Sequence, residues 1–128
     1  MVGSPVYFAS ANGTLISFLD RLFAGSAFYD LSMKVGASVV SARRGGCPAT
    51  FDELNKYFTM RNMPVVSSQY WNQVHGHSAE DVQKDEEGLQ IMRTLGRNMA
   101  FLIKSIDLGK KEFGLPEREA PISTNFIR

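Results

Sequence analysis

Cysteine is almost absent. Cys47 is the one cysteine in 128 residues, which excludes an internal disulfide and any all-cysteine zinc or iron–sulfur site within this sequence. Such sparing use fits a reducing compartment, and the cytoplasm is the expectation. Charge imbalance is lacking too: the net charge is +1, and no lysine or arginine run exceeds the pair Arg43-Arg44. A basic stripe for nucleic acid or an anionic membrane is therefore not expected. Residues 1–19 carry no charge at all, yet they are neither a membrane span nor a signal peptide. Gly3, Ser4, Pro5, Ser10, Asn12 and Gly13 break the apolar run, and no basic segment precedes it. A buried strand feeding a buried helix explains the run, as is usual in parallel sheets. The rest is ordinary for a globular chain, 44% hydrophobic and 21% charged, with room for one domain over residues 1–128.

What is present alternates between two periodicities. Met1 to Phe8 reads as the end of a strand, broken at Pro5. A Gly/Ser/Asn-rich turn follows, and Thr14 can cap a helix with Leu15, Phe18, Leu19, Leu22 and Phe23 on one face. Val35, Ala37, Val39 and Val40 mark a buried strand within Met33 to Ala42. The loop Arg43-Arg44-Gly45-Gly46-Cys47-Pro48 comes next. Thr50 with Glu53 has the spacing of a capping box opening a short helix. Pro64 to Ser67 reads as a third strand and Gln69 to His77 as an aromatic, polar loop. Ser78 with Asp81 then opens the longest helix, with Val82, Leu89, Met92, Leu95, Met99, Leu102, Ile103 and Ile106 in one stripe. The tail from Gly109 looks mostly extended. Strand–helix alternation of this kind implies a parallel sheet with helices on both faces, about three strands and three helices, an α/β fold.

Sheets so built bind ligands beyond the carboxyl ends of their strands. Three loops qualify: Ser4 to Gly13, Ser41 to Pro48 and Ser68 to His77. In the first, Tyr7 and Phe8 could shield the face of a flat ring while backbone groups bond its edge, although aromatics at strand ends also serve cores. In the second, Gly45 and Gly46 permit close backbone approach to an anionic edge beside two arginines; an exposed turn before a helix reads equally well. No P-loop is present. In the third, His75 and His77 lack a third metal ligand at suitable spacing, so no metal site is expected. The acidic group Glu80, Asp81, Asp85, Glu86 and Glu87 suits a helix N-terminus without any functional role.

Together, Gly3-Ser4-Pro5-Val6-Tyr7-Phe8, Leu19-Asp20-Arg21, Ala42-Arg43-Arg44-Gly45-Gly46 and the closing Thr124-Asn125-Phe126-Ile127-Arg128 resemble one family. It is the flavodoxin-like NAD(P)H-dependent FMN reductases, with their iron–sulfur flavoprotein and quinone reductase relatives. The resemblance implies that Pro5, Val6, Tyr7 and Phe8 hold the flavin ring system. It also implies that Ser41, Ala42, Arg43, Arg44, Gly45 and Gly46 lie along the ring's pyrimidine edge. The cofactors implied are FMN and NAD(P)H, and the reaction is electron transfer to a quinone, flavin or similar small acceptor. No side chain of this chain is assigned a catalytic acid or base. A homodimer or homotetramer is implied, with Phe23 to Tyr29 or Tyr70 to His77 facing a neighbour's flavin.

The family's phosphate-binding turn after its first strand has no counterpart here, so the expectation is an N-terminally truncated flavodoxin-like domain. It would lack strand–helix–strand–helix, about 50–60 residues by usual element lengths. Two alternatives accompany the reductase: a non-catalytic fragment that only packs or oligomerises, and an unrelated doubly wound hydrolase using His75 or His77.

Overall fold

The computed structural model describes residues 1–126. Strand β2, Ser38–Ala42, forms its centre, with β1 (Val2–Pro5) parallel on one side and β3 (Gln73–His75) parallel on the other. The register sets Val2 opposite Ser38 and Pro5 opposite Ser41, and on the far side Val40 opposite Gln73 and Ala42 opposite His75. Four α-helices accompany the strands: α1 (Gly13–Gly25), α2 (Cys47–Met60), α3 (Ala79–Val82) and α4 (Glu86–Phe113). The fold is α/β, as the alternation implies.

The side chains of β2 divide between two cores, as the period of two along a strand requires. Val40 packs with Leu19 of α1 and with Cys47 and Leu54 of α2. Ala37 and Val39 pack on the opposite face with Leu95, Met99 and Leu102 of α4. Helices therefore cover both faces, α1 and α2 on one and α4 on the other. The stripe expected on α4 is centred on Ile91 and Leu95, whereas Ile103 is half exposed. On α1, Leu19 is buried, but Phe18 and Leu22 face outward.

The third strand is corrected. Pro64 to Ser67 contributes only an isolated bridge, Gly36 opposite Val65, and the strand proper lies in the segment expected to be a loop. The cause is a break in one continuous line of pairing. Val66 N–H donates to Gly36 O, the chain leaves at Ser67, and it returns where Val40 N–H donates to Asn72 O at 2.9 Å. The fully buried Asn72 amide fills the gap, donating to Ser38 O at 3.1 Å and Val66 O at 3.4 Å. A side chain here supplies donors that the strand's own backbone would otherwise provide.

Three helix starts are corrected as well. Asn12, not Thr14, caps α1, its Oδ1 accepting from Thr14 N–H and Leu15 N–H. Helix α2 begins at Cys47 behind Gly46, with Pro48 in its first turn, where a missing N–H costs nothing. Thr50 is thus buried inside the helix, and Glu53 turns to a different partner. Ser78 caps only the four-residue α3, and Asp85 caps α4. Among the described residues there are therefore four α-helices where about three were expected. Residues 114–126 form no regular element; Ile127 and Arg128 of the closing motif lie outside the described residues.

Asp85 joins the end of β3 to the start of α4. Its carboxylate accepts from Gly88 N–H at 2.9 Å and from His75 N–H at 2.6 Å. The Gly88 N–H, with that of His75 assisting, holds the carboxyl below its ordinary range. A carboxyl depressed in the folded state adds stability that is complete above its unfolded pKa and is lost as pH falls through the folded value. Asp85→Ala is accordingly expected to cost about 1–2 kcal/mol at pH 7. The deficit should shrink once pH falls below about 4. Urea midpoints of both proteins at pH 7 and pH 3 measure it, and an equal deficit at both values would contradict the assignment.

Candidate functional site

All three strands point their carboxyl ends at one rim, because all pairings are parallel. The loop after β1 is closed at its neck by Ser4, whose Oγ donates to Pro5 O at 2.7 Å and accepts from Asn12 N–H at 2.9 Å. Val6 N–H donates to Ser41 O at 2.9 Å, carrying the pairing with β2 one step past Pro5. A tight turn follows, in which Tyr7 and Ser10 exchange two backbone hydrogen bonds of 2.9 Å. Its central residues, Phe8 and Ala9, have φ of 51° and 60°. Both central angles are positive, as in a type I′ turn. The turn projects Phe8 fully into solvent and leaves Tyr7 about half exposed.

The loop after β2 closes against this turn. Gly46 sits at φ 92°, and a Cβ there would lie 2.8 Å from Val6 Cγ1 and 3.0 Å from Ala9 Cα. Only a residue without a side chain fits such an approach. On the other flank, Ala42 O accepts from Gly76 N–H at 3.2 Å and lies 3.2 Å from His75 Nδ1. The turn Gly76-His77-Ser78 is thereby held beside the other two loops.

Between the loops lies a cavity of about 370 Å³, lined by Pro5, Val6, Ser41, Ala42, Arg43, Gly76, His77, Ser78, Ala79 and Val82. Its size is within the range of small-molecule sites, about 300–1,000 Å³. Five of the ten residues singled out from the sequence, Pro5, Val6, Ser41, Ala42 and Arg43, line it. Gly46 stands behind Val6, Tyr7 and Phe8 occupy the adjoining turn, and Arg44 and Gly45 face solvent outside the lining. An apolar groove of about 380 Å³ on the α4 face shares Pro5, Ser41 and Val82 with the cavity and adds Val39, Val74, Leu89 and Met92.

Gly76 and His77 belong to the third loop expected from the sequence, whereas Ser78, Ala79 and Val82 were not expected at the site. Their signal, Gly76 directly after the alternating Gln73-Val74-His75, is hidden when the strand is placed at Pro64 to Ser67. The rings of Tyr70 and Trp71 meet at 5.0 Å, tilted by 49°, in the segment between Val66 and Asn72, outside the rim lining. Asp20 of the Leu19-Asp20-Arg21 motif also lies outside it. It accepts from the Tyr57 hydroxyl at 2.5 Å, tying α1 to α2. Burial, with Asp20 and Glu53 nearby, pushes the Tyr57 hydroxyl up to about 12.

The walls are chemically mild. Arg43 has no carboxylate within ion-pair distance among the described residues. Cys47, at the first position of α2, is buried, and that burial pushes its thiol pKa up, away from a reactive thiolate. Among the described residues no three His, Cys, Asp or Glu side chains are grouped to hold a metal ion. No helix among them is long and apolar enough to cross a membrane. Apart from His77, the lining suits binding and orientation more than acid–base work.

Known proteins share the sequence pattern and the fold. Residues 1–78, which hold all three loops, match the family of NADPH-dependent FMN reductases. An iron–sulfur flavoprotein of Methanocaldococcus jannaschii is 30% identical over 113 residues, covering 83% of this chain and 58% of its own length. The chain thus spans less than two thirds of that relative. The crystal structure of a flavodoxin, WrbA-like protein from Agrobacterium tumefaciens superposes with a TM-score of 0.55 at 16% identity. The match takes in 76% of this chain and 66% of that one. At that identity the likeness is one of fold.

The two loop glycines should respond differently to a methyl group. Gly46→Ala is expected to destabilise by about 1–3 kcal/mol through strain at positive φ and overlap with Val6 and Ala9. Gly45→Ala, where a Cβ meets nothing within 4 Å, should stay within about 0.5 kcal/mol of the parent. Urea denaturation of the pair measures both, and equal effects would show that the two loops do not meet as described.

Proposed function

Since the chain belongs to the NADPH-dependent FMN reductase family, we propose that its rim cavity holds the ring system of FMN in an oxidoreductase passing electrons from NAD(P)H to a small acceptor. The acceptor is a quinone, a flavin or a similar compound. The observation that carries this reading is the contact of the loops after β1 and β2, which builds one cavity from residues far apart in sequence.

The residues present fit a flat, partly polar ring. Pro5, Val6 and Ala42 offer apolar wall, while Tyr7 and Phe8 stand exposed on the adjoining turn and can cover a face. Arg43 supplies positive charge, and α2 starts behind Gly46 with no side chain capping its N-terminus. The partial positive charge of such a helix end favours a negatively charged neighbour. FMN, when bound, supplies the hydride and electron chemistry. The chain's own residues would bind and orient the ring, and Arg43 with the Gly45 and Gly46 N–H groups would favour negative charge at its edge. No side-chain proton donor is needed for that role. We further propose a homodimer or homotetramer; the outward-facing Phe18, Leu22, Phe28 and Tyr29 support a buried contact between copies.

Titration with FMN, followed by flavin fluorescence and by melting temperature, tests the reading. Ligand at a hundred times its Kd should stabilise the chain by about 2.7 kcal/mol. Tyr7→Ala and Phe8→Ala should each weaken binding between about twofold and tenfold. No binding and no thermal shift would favour the non-catalytic alternative.

A further inference from the structure

The turn that presents Tyr7 and Phe8 does not hold its shape through local preference. Phe8 and Ala9 both occupy left-handed backbone, at φ 51° and 60°, a conformation that glycine or asparagine adopts readily and other residues resist. Strained backbone persists where the surroundings impose it. Among the described residues, the side-chain hydrogen bonding to this loop from outside it comes from one residue. Glu53, on the second turn of α2, accepts from Ala11 N–H at 2.8 Å through Oε2 and from Ser10 Oγ at 2.9 Å, with its Oε1 at 3.1 Å. Charge-assisted bonds of this kind are stronger than neutral ones. The same helix closes the other wall, because Gly46 at its head packs against Val6 and Ala9. Helix α2 therefore fixes the spacing of both loops, at its start through Gly46 and about two turns later through Glu53.

We propose that Glu53 is a positioning residue for the flavin ring, setting the turn that carries Tyr7 and Phe8 against the loop that carries Arg43. The assignment rests on the flavin reading above. Glu53 is not part of the cavity lining, so it acts through Ser10 and Ala11 and not by touching the ring. Glutamine keeps the shape but removes the charge, so Ala11 N–H and Ser10 Oγ, which share Oε2, are left with a neutral and weaker acceptor. Aspartate, one methylene shorter, should not restore the bonds.

The test compares the chain with Glu53→Gln and Ser10→Ala, using FMN as the probe. It reads FMN Kd, the absorption spectrum and reduction potential of the bound flavin, and the melting temperature without ligand. Glu53→Gln is expected to stay folded, to weaken FMN about threefold to tenfold, and to alter the spectrum and potential of what binds. Ser10→Ala, which removes one of the two donors, should give a smaller change in the same direction. Unchanged Kd, spectrum and potential in Glu53→Gln would overturn the proposal, even with a lowered melting temperature. If that variant does not fold, unchanged FMN affinity in Ser10→Ala would overturn it instead. Failure of the parent chain to bind FMN would remove the flavin reading and this proposal together. Binding by the parent with no response in either variant removes the role of Glu53 alone.

Discussion

Two carbonyl groups at the end of the central strand tie the rim together. Ser41 O takes the N–H of Val6 on one side, and Ala42 O takes that of Gly76 on the other. Parallel pairing aims all three strand ends the same way, and these bonds extend the alignment into the loops. Without them the loops would leave the sheet at independent angles, and the cavity would have no fixed walls. Their geometry depends in turn on β2 being packed from both faces, by Leu19, Cys47 and Leu54 beneath and by Leu95 above. Hydrophobic burial sets the strand; the strand sets the loops.

The rim then departs from what its residues would choose alone. Phe8 and Ala9 are not turn formers of the glycine or asparagine kind, yet they occupy the two positive-φ positions of the turn. Ser4 at the neck, Glu53 from α2 and the missing side chain at Gly46 jointly impose that shape. Every bond at the neck joins the loop to itself or to an element already fixed in the core. A bound ring would thus meet walls whose ordering cost belongs to folding, which favours affinity.

Much of this could be read from the sequence, for reasons that can be given residue by residue. The fold class followed from alternation of strand-like and helix-like periods, and β1, β2, α1, α2 and α4 overlap the segments where those periods placed them. The first two loops were visible because Pro5 and the Gly45-Gly46 pair punctuate the ends of strands. The third strand was misplaced because Pro64-Val65-Val66 has the stronger apolar signal, while Gln73-Val74-His75 looks polar; only pairing with β2 identifies it. Capping residues misled for a related reason. Thr50 and Glu53 have capping-box spacing, but Cys47 and Pro48 had already begun the helix, which freed Glu53 for a partner some forty residues away in sequence. Contacts of that range leave no local pattern. Asp20 shows the converse, since a motif recognisable in sequence turns out to join two helices away from the cavity.

The bridging amide of Asn72 has a consequence for how this architecture can vary. Because that one side chain bonds Ser38 and Val66 across the interruption, the residues between Val66 and Asn72 are released from the sheet at both ends. Chain can be added to or removed from that excursion without shifting the register of Gln73 to His75, and so without moving the third wall of the rim. The break acts as an expansion joint, where loop length can drift while the geometry around the cavity stays constant.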